Sequence, residues 1–217
     1  MKHAPLAAAV AFAALAGGAG TACAQAWSLE NAYIKGFGGA TWPSDLDTTL
    51  FEDGEQIAAP SFDHDTGYTL GIAVGAAVTP NFAMEFEYTH RKADFTVGDR
   101  AEGDQTDGDT SAQAFMVNAL YMFDSMGPTR AVRPYLGAGI GAANVEKSAG
   151  GQDFEADGVF AYQLFGGVGY EVNPNMSLFA EGRWFQTESD RFEGPADENF
   201  DGEFETFDLL VGTRFAF

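Results

Sequence analysis

Phe82-Ala83-Met84-Glu85-Phe86-Glu87-Tyr88-Thr89-His90-Arg91 alternates without a break. Successive side chains of a strand point to opposite faces, so Phe82, Met84, Phe86, Tyr88 and His90 share one side. Ala83, Glu85, Glu87, Thr89 and Arg91 share the other. A period of two over ten residues predicts a strand with one apolar, aromatic face and one charged face. Immediately before it, Val78-Thr79-Pro80-Asn81 reads as a tight turn, with proline presetting the bend and asparagine tolerating the conformation after it. Across that turn, Tyr68, Leu70, Ile72, Val74, Ala76 and Val78 form an apolar face against Thr69, Gly71, Ala73, Gly75 and Ala77. The pair is a hairpin.

The same pattern continues along the chain. Phe115, Val117, Ala119, Tyr121 and Phe123 oppose Asn118; Leu136, Ala138, Ile140 and Ala142 oppose Tyr135 and three glycines. Phe160, Tyr162, Leu164, Val168 and Tyr170 oppose Gln163 and Glu171, and Met176, Leu178, Ala180 and Trp184 oppose Ser177, Glu181 and Arg183. The last strand sets Phe207, Leu209, Val211, Thr213, Phe215 and Phe217 against Thr206, Asp208, Gly212, Arg214 and Ala216. A first strand over about Ala32 to Trp42 completes eight, its glycines leaving the register open. Segments of about ten residues match a tilted strand crossing a bilayer, and no segment of the mature chain is long and apolar enough to cross as a helix.

Composition agrees. The 217 residues carry 32 acids against 11 Lys and Arg, a formal charge of −21, which repels phosphate backbones and excludes a nucleic-acid partner. Twenty phenylalanines and 46% hydrophobic residues exclude an acidic disordered chain. The 27 glycines argue against a mainly helical one. Met1-Lys2-His3, the apolar run Leu6 to Ala16 and the small residues up to Ala26 predict a signal peptide over residues 1–26, cleaved after Ala24 or Ala26. Cleavage would remove the single cysteine, Cys23, leaving a mature domain over 27–217 without disulfide or thiol chemistry.

A soluble sandwich also alternates, but two asymmetries favour a barrel in a membrane. Thr79-Pro80-Asn81 and Asn173-Pro174-Asn175 are tight turns and Asp124 to Arg133 is a modest one. The intervening connections, Pro43 to Asp65, Lys92 to Thr110, Glu146 to Asp157 and Gln186 to Glu205, are long. Those four hold 25 of the 32 acids and only the bases Lys92, Arg100, Lys147 and Arg191. Short turns at one rim and long loops at the other are the outer-membrane pattern.

On these residues, and on Arg133-Pro134-Tyr135-Leu136-Gly137-Ala138-Gly139-Ile140-Gly141, Gly166-Gly167-Val168-Gly169-Tyr170 and the terminal Val211-Gly212-Thr213-Arg214-Phe215-Ala216-Phe217, the chain resembles the small outer-membrane β-barrels. These are the relatives of outer-membrane protein A barrels and of neisserial surface-protein-like antigens. The resemblance covers residues 27–217 and implies an eight-stranded, up-and-down antiparallel barrel in the cell outer membrane. It implies as partners the lipid bilayer and, through the carboxy-terminal Phe217 with its alternating apolar predecessors, the barrel-assembly machinery; Thr213 departs from that alternation.

Lys35, Glu85, Glu87, Arg91, Glu171, Glu181, Arg183, Asp208 and Arg214 fall on the inward face, Lys35 through an open register. In so narrow a barrel they are expected to form a stabilising ion-pair network rather than a conduction path. Asp197-Glu198-Asn199-Phe200-Asp201-Gly202 matches the opening of a calcium loop, with Asp208 in the place of the usual closing Glu. A string of that kind arises readily in a loop this acidic, as do Asp104, Asp107 and Asp109. No metal, cofactor or catalytic residue is therefore assigned, and divalent cations are expected at the external loops as counterions. His64, with Ser61, Asp63 and Asp65 nearby, and His90 are the histidines left for an enzyme after cleavage, and neither forms a recognisable triad. The expected role is a non-catalytic surface or antigen protein, with a narrow porin-like channel and a lipid-modifying enzyme as the competing readings.

Overall fold

The computed structural model describes residues 31–44, 50–52, 55–57, 61–64, 66–98, 105–149, 152–188, 190–193, 199–202 and 204–217. The expected signal peptide and much of the acidic loops, Asp197 and Asp104 included, lie outside them. Eight strands build the wall: β1 (Ala32–Pro43), β5 (Gly67–Ala77), β6 (Phe82–Gly98), β7 (Gln105–Met122), β8 (Val132–Ala149), β9 (Gln152–Asn173), β10 (Met176–Thr187) and β13 (Glu205–Ala216). Each pairs antiparallel with its neighbour in order, and β13 returns to β1 through Tyr33↔Ala216 to Pro43↔Thr206, closing the barrel. Closure leaves no wall edge unpaired inside lipid, where an unpaired backbone amide would cost several kcal/mol. Short strands decorate one end: β2 (Leu50–Glu52) with β3 (Glu55–Ile57), β4 (Ser61–His64) on β6, and β11 (Asp190–Glu193) with β12 (Asn199–Gly202).

The barrel is inside out. Ile72, Val211 and Phe115 are 61–65% exposed on the outer wall, while Glu85, Arg91 and Asp208 are fully buried in the lumen. Every outward series follows the alternation, with one qualification. Ala76 keeps the outward phase but is only 2% exposed. Flanked in register by Ala32 and Met84, its methyl group is too short to project past its neighbours. The glycine-rich first strand takes the register that places Tyr33, Lys35, Phe37 and Thr41 inside.

Two expected loops are largely strand. Residues 92–98 and 105–110 continue the β6–β7 ladder as far as Gly98↔Gln105, and 146–149 with 152–157 continue β8–β9 as far as Ala149↔Gln152. Backbone pairing needs no lipid, so the ladder runs past the apolar girdle. Four adjacent strands of 17 to 22 residues therefore rise above four of 11 or 12. The tight turns also hold by a mechanism other than the expected one. Among the described non-glycine residues only Arg130 has a positive φ, 53°, so neither turn asparagine uses that conformation. Instead the Asn81 side-chain amide donates to Met122 O at 2.8 Å and that of Asn175 to Ala216 O at 3.1 Å, fastening each turn to the adjoining strand.

Candidate functional site: the charged belt of the lumen

The inward positions of β1, β6, β10 and β13 carry the charges, and strand pairing brings them to one level. Lys35 Nζ lies 3.1 Å from Glu85 and 3.7 Å from Glu181; Arg183 holds Glu181 at 2.6 Å and also grips Glu87 with both terminal nitrogens. Asn118 on the neighbouring β7 and Gln163 on β9 donate to Glu87 at 3.2 and 3.1 Å. The hydroxyls of Tyr33 and Tyr135 donate to Glu85 and Glu181 at 2.8 and 2.9 Å. A second pair, Arg91 with Asp208 at 3.0 Å, sits nearer the long-loop rim, with Thr89 and Thr41 as neighbours. Four buried acids thus meet three buried bases, and Arg214, 3.8 Å from Glu85, supplies the fourth positive charge. Ionised groups out of water are tolerated when each is paired and its remaining lone pairs are filled, and that condition is largely met here.

Aromatic rings pack against the cations. Lys35 stands 4.8 Å from the Phe179 ring, Arg183 5.2 Å from both Phe37 and Phe165, and Arg91 4.0 Å from Phe185. These inward rings escape a reading that sends aromatics to lipid and charges to the lumen. The signal was present in the phase: Gln163, Glu181 and Arg183 fix the parity of β9 and β10, and Phe165, Phe179 and Phe185 have the same parity. Toward the short-turn rim Tyr33, Leu120, Met122 and Tyr135 join one apolar cluster; toward the long-loop rim Ala112, Met116, Val145, Phe185 and Phe204 form another. Among the described residues, the two clusters flank the charged belt on either side.

Eight of the nine inward charges come together in this way. Glu171 does not: it reaches the short-turn rim, is exposed, and makes no ion pair among the described residues. Of the calcium-like string, the described residues Asn199–Gly202 and Asp208 do not form one loop. Asn199–Gly202 is extended as β12, pairing Asp201 with Arg191, and Asp208, read as its closing ligand, is turned into the lumen against Arg91. Asp109 is paired with Lys92 at 3.3 Å, and no group of three metal-binding side chains occurs among the described residues. His90 faces outward with its ring 6.2 Å from Tyr68, as an interfacial residue would. Of Ser61 and His64 only the backbone is described, in β4.

Comparison with known proteins gives the same answer as the geometry. Comparison with curated proteins finds no match. Among solved structures, the chain is similar to neisserial surface protein A, at 19% identity and a TM-score of 0.56 over 86% of this chain and 97% of that one. It is similar to OprG from Pseudomonas aeruginosa, at 15% identity and a TM-score of 0.58 over 86% and 96%. A third likeness is AlkL, determined in lipid bilayers, at 16% identity and a TM-score of 0.51 over 87% and 90%. At such identities these likenesses concern the fold. The model of the outer membrane protein beta-barrel domain matches residues 8–215. With that match and the closed eight-stranded wall, the chain belongs to the outer-membrane β-barrel domain family, and its place is the cell outer membrane.

Proposed function

We propose that the protein is a non-catalytic, non-conducting barrel whose working surface is external: the raised β6–β9 wall and the acidic loops around it. The observation that carries this reading is the belt. The side chains of Lys35, Glu85, Glu87, Arg91, Glu181, Arg183 and Asp208 have no solvent-accessible surface. An ion crossing the lumen would have to part charge pairs held at 2.6 to 3.1 Å and pass two apolar clusters. With the lumen occupied by its own side chains, contact with the exterior falls to the loops, where 25 acids stand against four bases. Like charges at that density repel within a Debye length of about 8 Å, so divalent counterions belong to this reading. So do secretion by the 1–26 segment and recognition of the terminal strand by the assembly machinery.

Cysteine scanning on intact cells tests the surface role. In a Cys23→Ser background, Asp157→Cys at the upper end of β9 should react with a membrane-impermeant maleimide, and Asp124→Cys at the short turn only after the outer membrane is opened. Equal labelling of both on intact cells, or of neither, would refute the assignment. Solute entry into proteoliposomes would restore the channel reading.

A further inference from the structure

At the periplasmic mouth, Glu171 of β9 stands in register with Ser177 of β10, and Ser177 with Arg214 of β13. Paired strands lie about 4.8 Å apart, so a carboxylate and a guanidinium flank one short hydroxyl side chain. The space this leaves is a cavity of about 50 Å³, with Arg133, Glu171, Ser177 and Arg214 as its charged and polar lining and Met122, Tyr135 and Phe179 among its other walls. A cavity that size holds a few waters, each needing about 10–15 Å³, or one small carboxylate.

Arg214 is short of acceptors. Its Nε is buried without a partner, its Nη1 reaches only the thioether sulfur of Met122 at 3.9 Å, and its Nη2 is 3.8 Å from Glu85. That carboxylate is already held by the Tyr33 hydroxyl and by Lys35. Arg183, by contrast, hydrogen-bonds carboxylates through all three of its nitrogens. The Tyr33 ring, 4.5 Å from the Arg214 guanidinium, backs it. Arg133 spends its Nε and Nη2 on the carbonyls of Phe123 and Pro80, which leaves its Nη1. Two arginines against Glu171 make the mouth a cationic, partly apolar cup with unused donors.

We propose that this cup is a periplasm-facing site for a small carboxylate. Arg214 takes the carboxylate through its planar fork, Ser177 donates a hydroxyl, and Met122 and Phe179 enclose the apolar substituent. The carboxylate belongs either to a free short-chain acid or to the carboxy terminus of a polypeptide.

The test follows the Arg214 Nε–Hε resonance of the refolded full-length barrel while sodium propionate is titrated in, with sodium chloride as the matched ionic-strength control. A saturable shift is expected with propionate and with N-acetylglycylglycine, and none with the peptide amide or with chloride. Tighter binding of the peptide acid assigns the site to a chain terminus, and tighter binding of propionate assigns it to a free acid. Glu171→Gln, which removes the opposing charge, should tighten binding severalfold. Arg214→Lys keeps the charge without the fork and should weaken binding about tenfold, read at the Met122 methyl group. A linear response equal to that of chloride overturns the proposal, as does binding unchanged in Arg214→Lys.

Discussion

On the outer wall of β5, Leu70, Ile72 and Val74 are 56–65% exposed to lipid, and no specific partner holds them. On the inner wall of β6, Glu85, Glu87 and Arg91 are at most 3% exposed, and each meets a named partner at hydrogen-bonding distance. One backbone carries both walls, yet they are specified differently. Lipid is as apolar as the side chains it touches, so the outer wall asks only for hydrophobicity and length. The lumen asks for particular geometry, because a buried charge that loses its partner has no water to replace it.

That contrast ranks the effects of substitution. Arg183→Met should cost the most, about 3–5 kcal/mol in denaturant unfolding from lipid vesicles, since it strands Glu87 and Glu181 in the lumen. Adding Glu87→Gln should recover part of the loss, and a double variant no more stable than the single would break the pairwise account. Ile72→Arg, a charge placed toward lipid, should cost about 2–4 kcal/mol, whereas Ile72→Leu should be close to neutral. Gly139→Ala comes next at about 1–3 kcal/mol, because a Cβ there would overlap Asn118 Oδ1 and push the Asn118–Gln163–Glu87 chain. Gly36→Ala, where an added Cβ would meet open space, should be milder. Smallest is Lys92→Ala on the raised wall: its pair with Asp109 is 41% exposed on both sides and should be worth under about 1 kcal/mol, less in high salt.

How far the sequence discloses this molecule follows the same division. The lipid-facing wall was legible because period-two alternation is a one-dimensional signal: Phe82 to His90 and Phe207 to Phe217 each declare their face without reference to any other strand. The set of lumen charges was legible from the same parity. Which acid meets which base was not, because the Lys35–Glu181 and Arg183–Glu87 pairs depend on the stagger of strands across the barrel. The inward phenylalanines were overlooked because an aromatic in a membrane strand suggests lipid, while in a lumen this narrow it serves as a wall for a cation. Strand ends were misplaced at Lys92 and Glu146 because charge density marks exposure to water and says nothing about whether backbone pairing stops there. For the Asp197-to-Gly202 string the limit is related: spacing along the chain does not record that Asp208 turns inward.

Conductance in planar bilayers measures directly whether the belt seals the lumen. Purified wild-type protein should give no stable unitary steps under applied voltage. The double variant Glu87→Ala/Arg183→Ala, which empties the centre of the belt while removing charges in a matched pair, should give them. Stable steps from the wild type of the same size as those of the double variant would contradict the account.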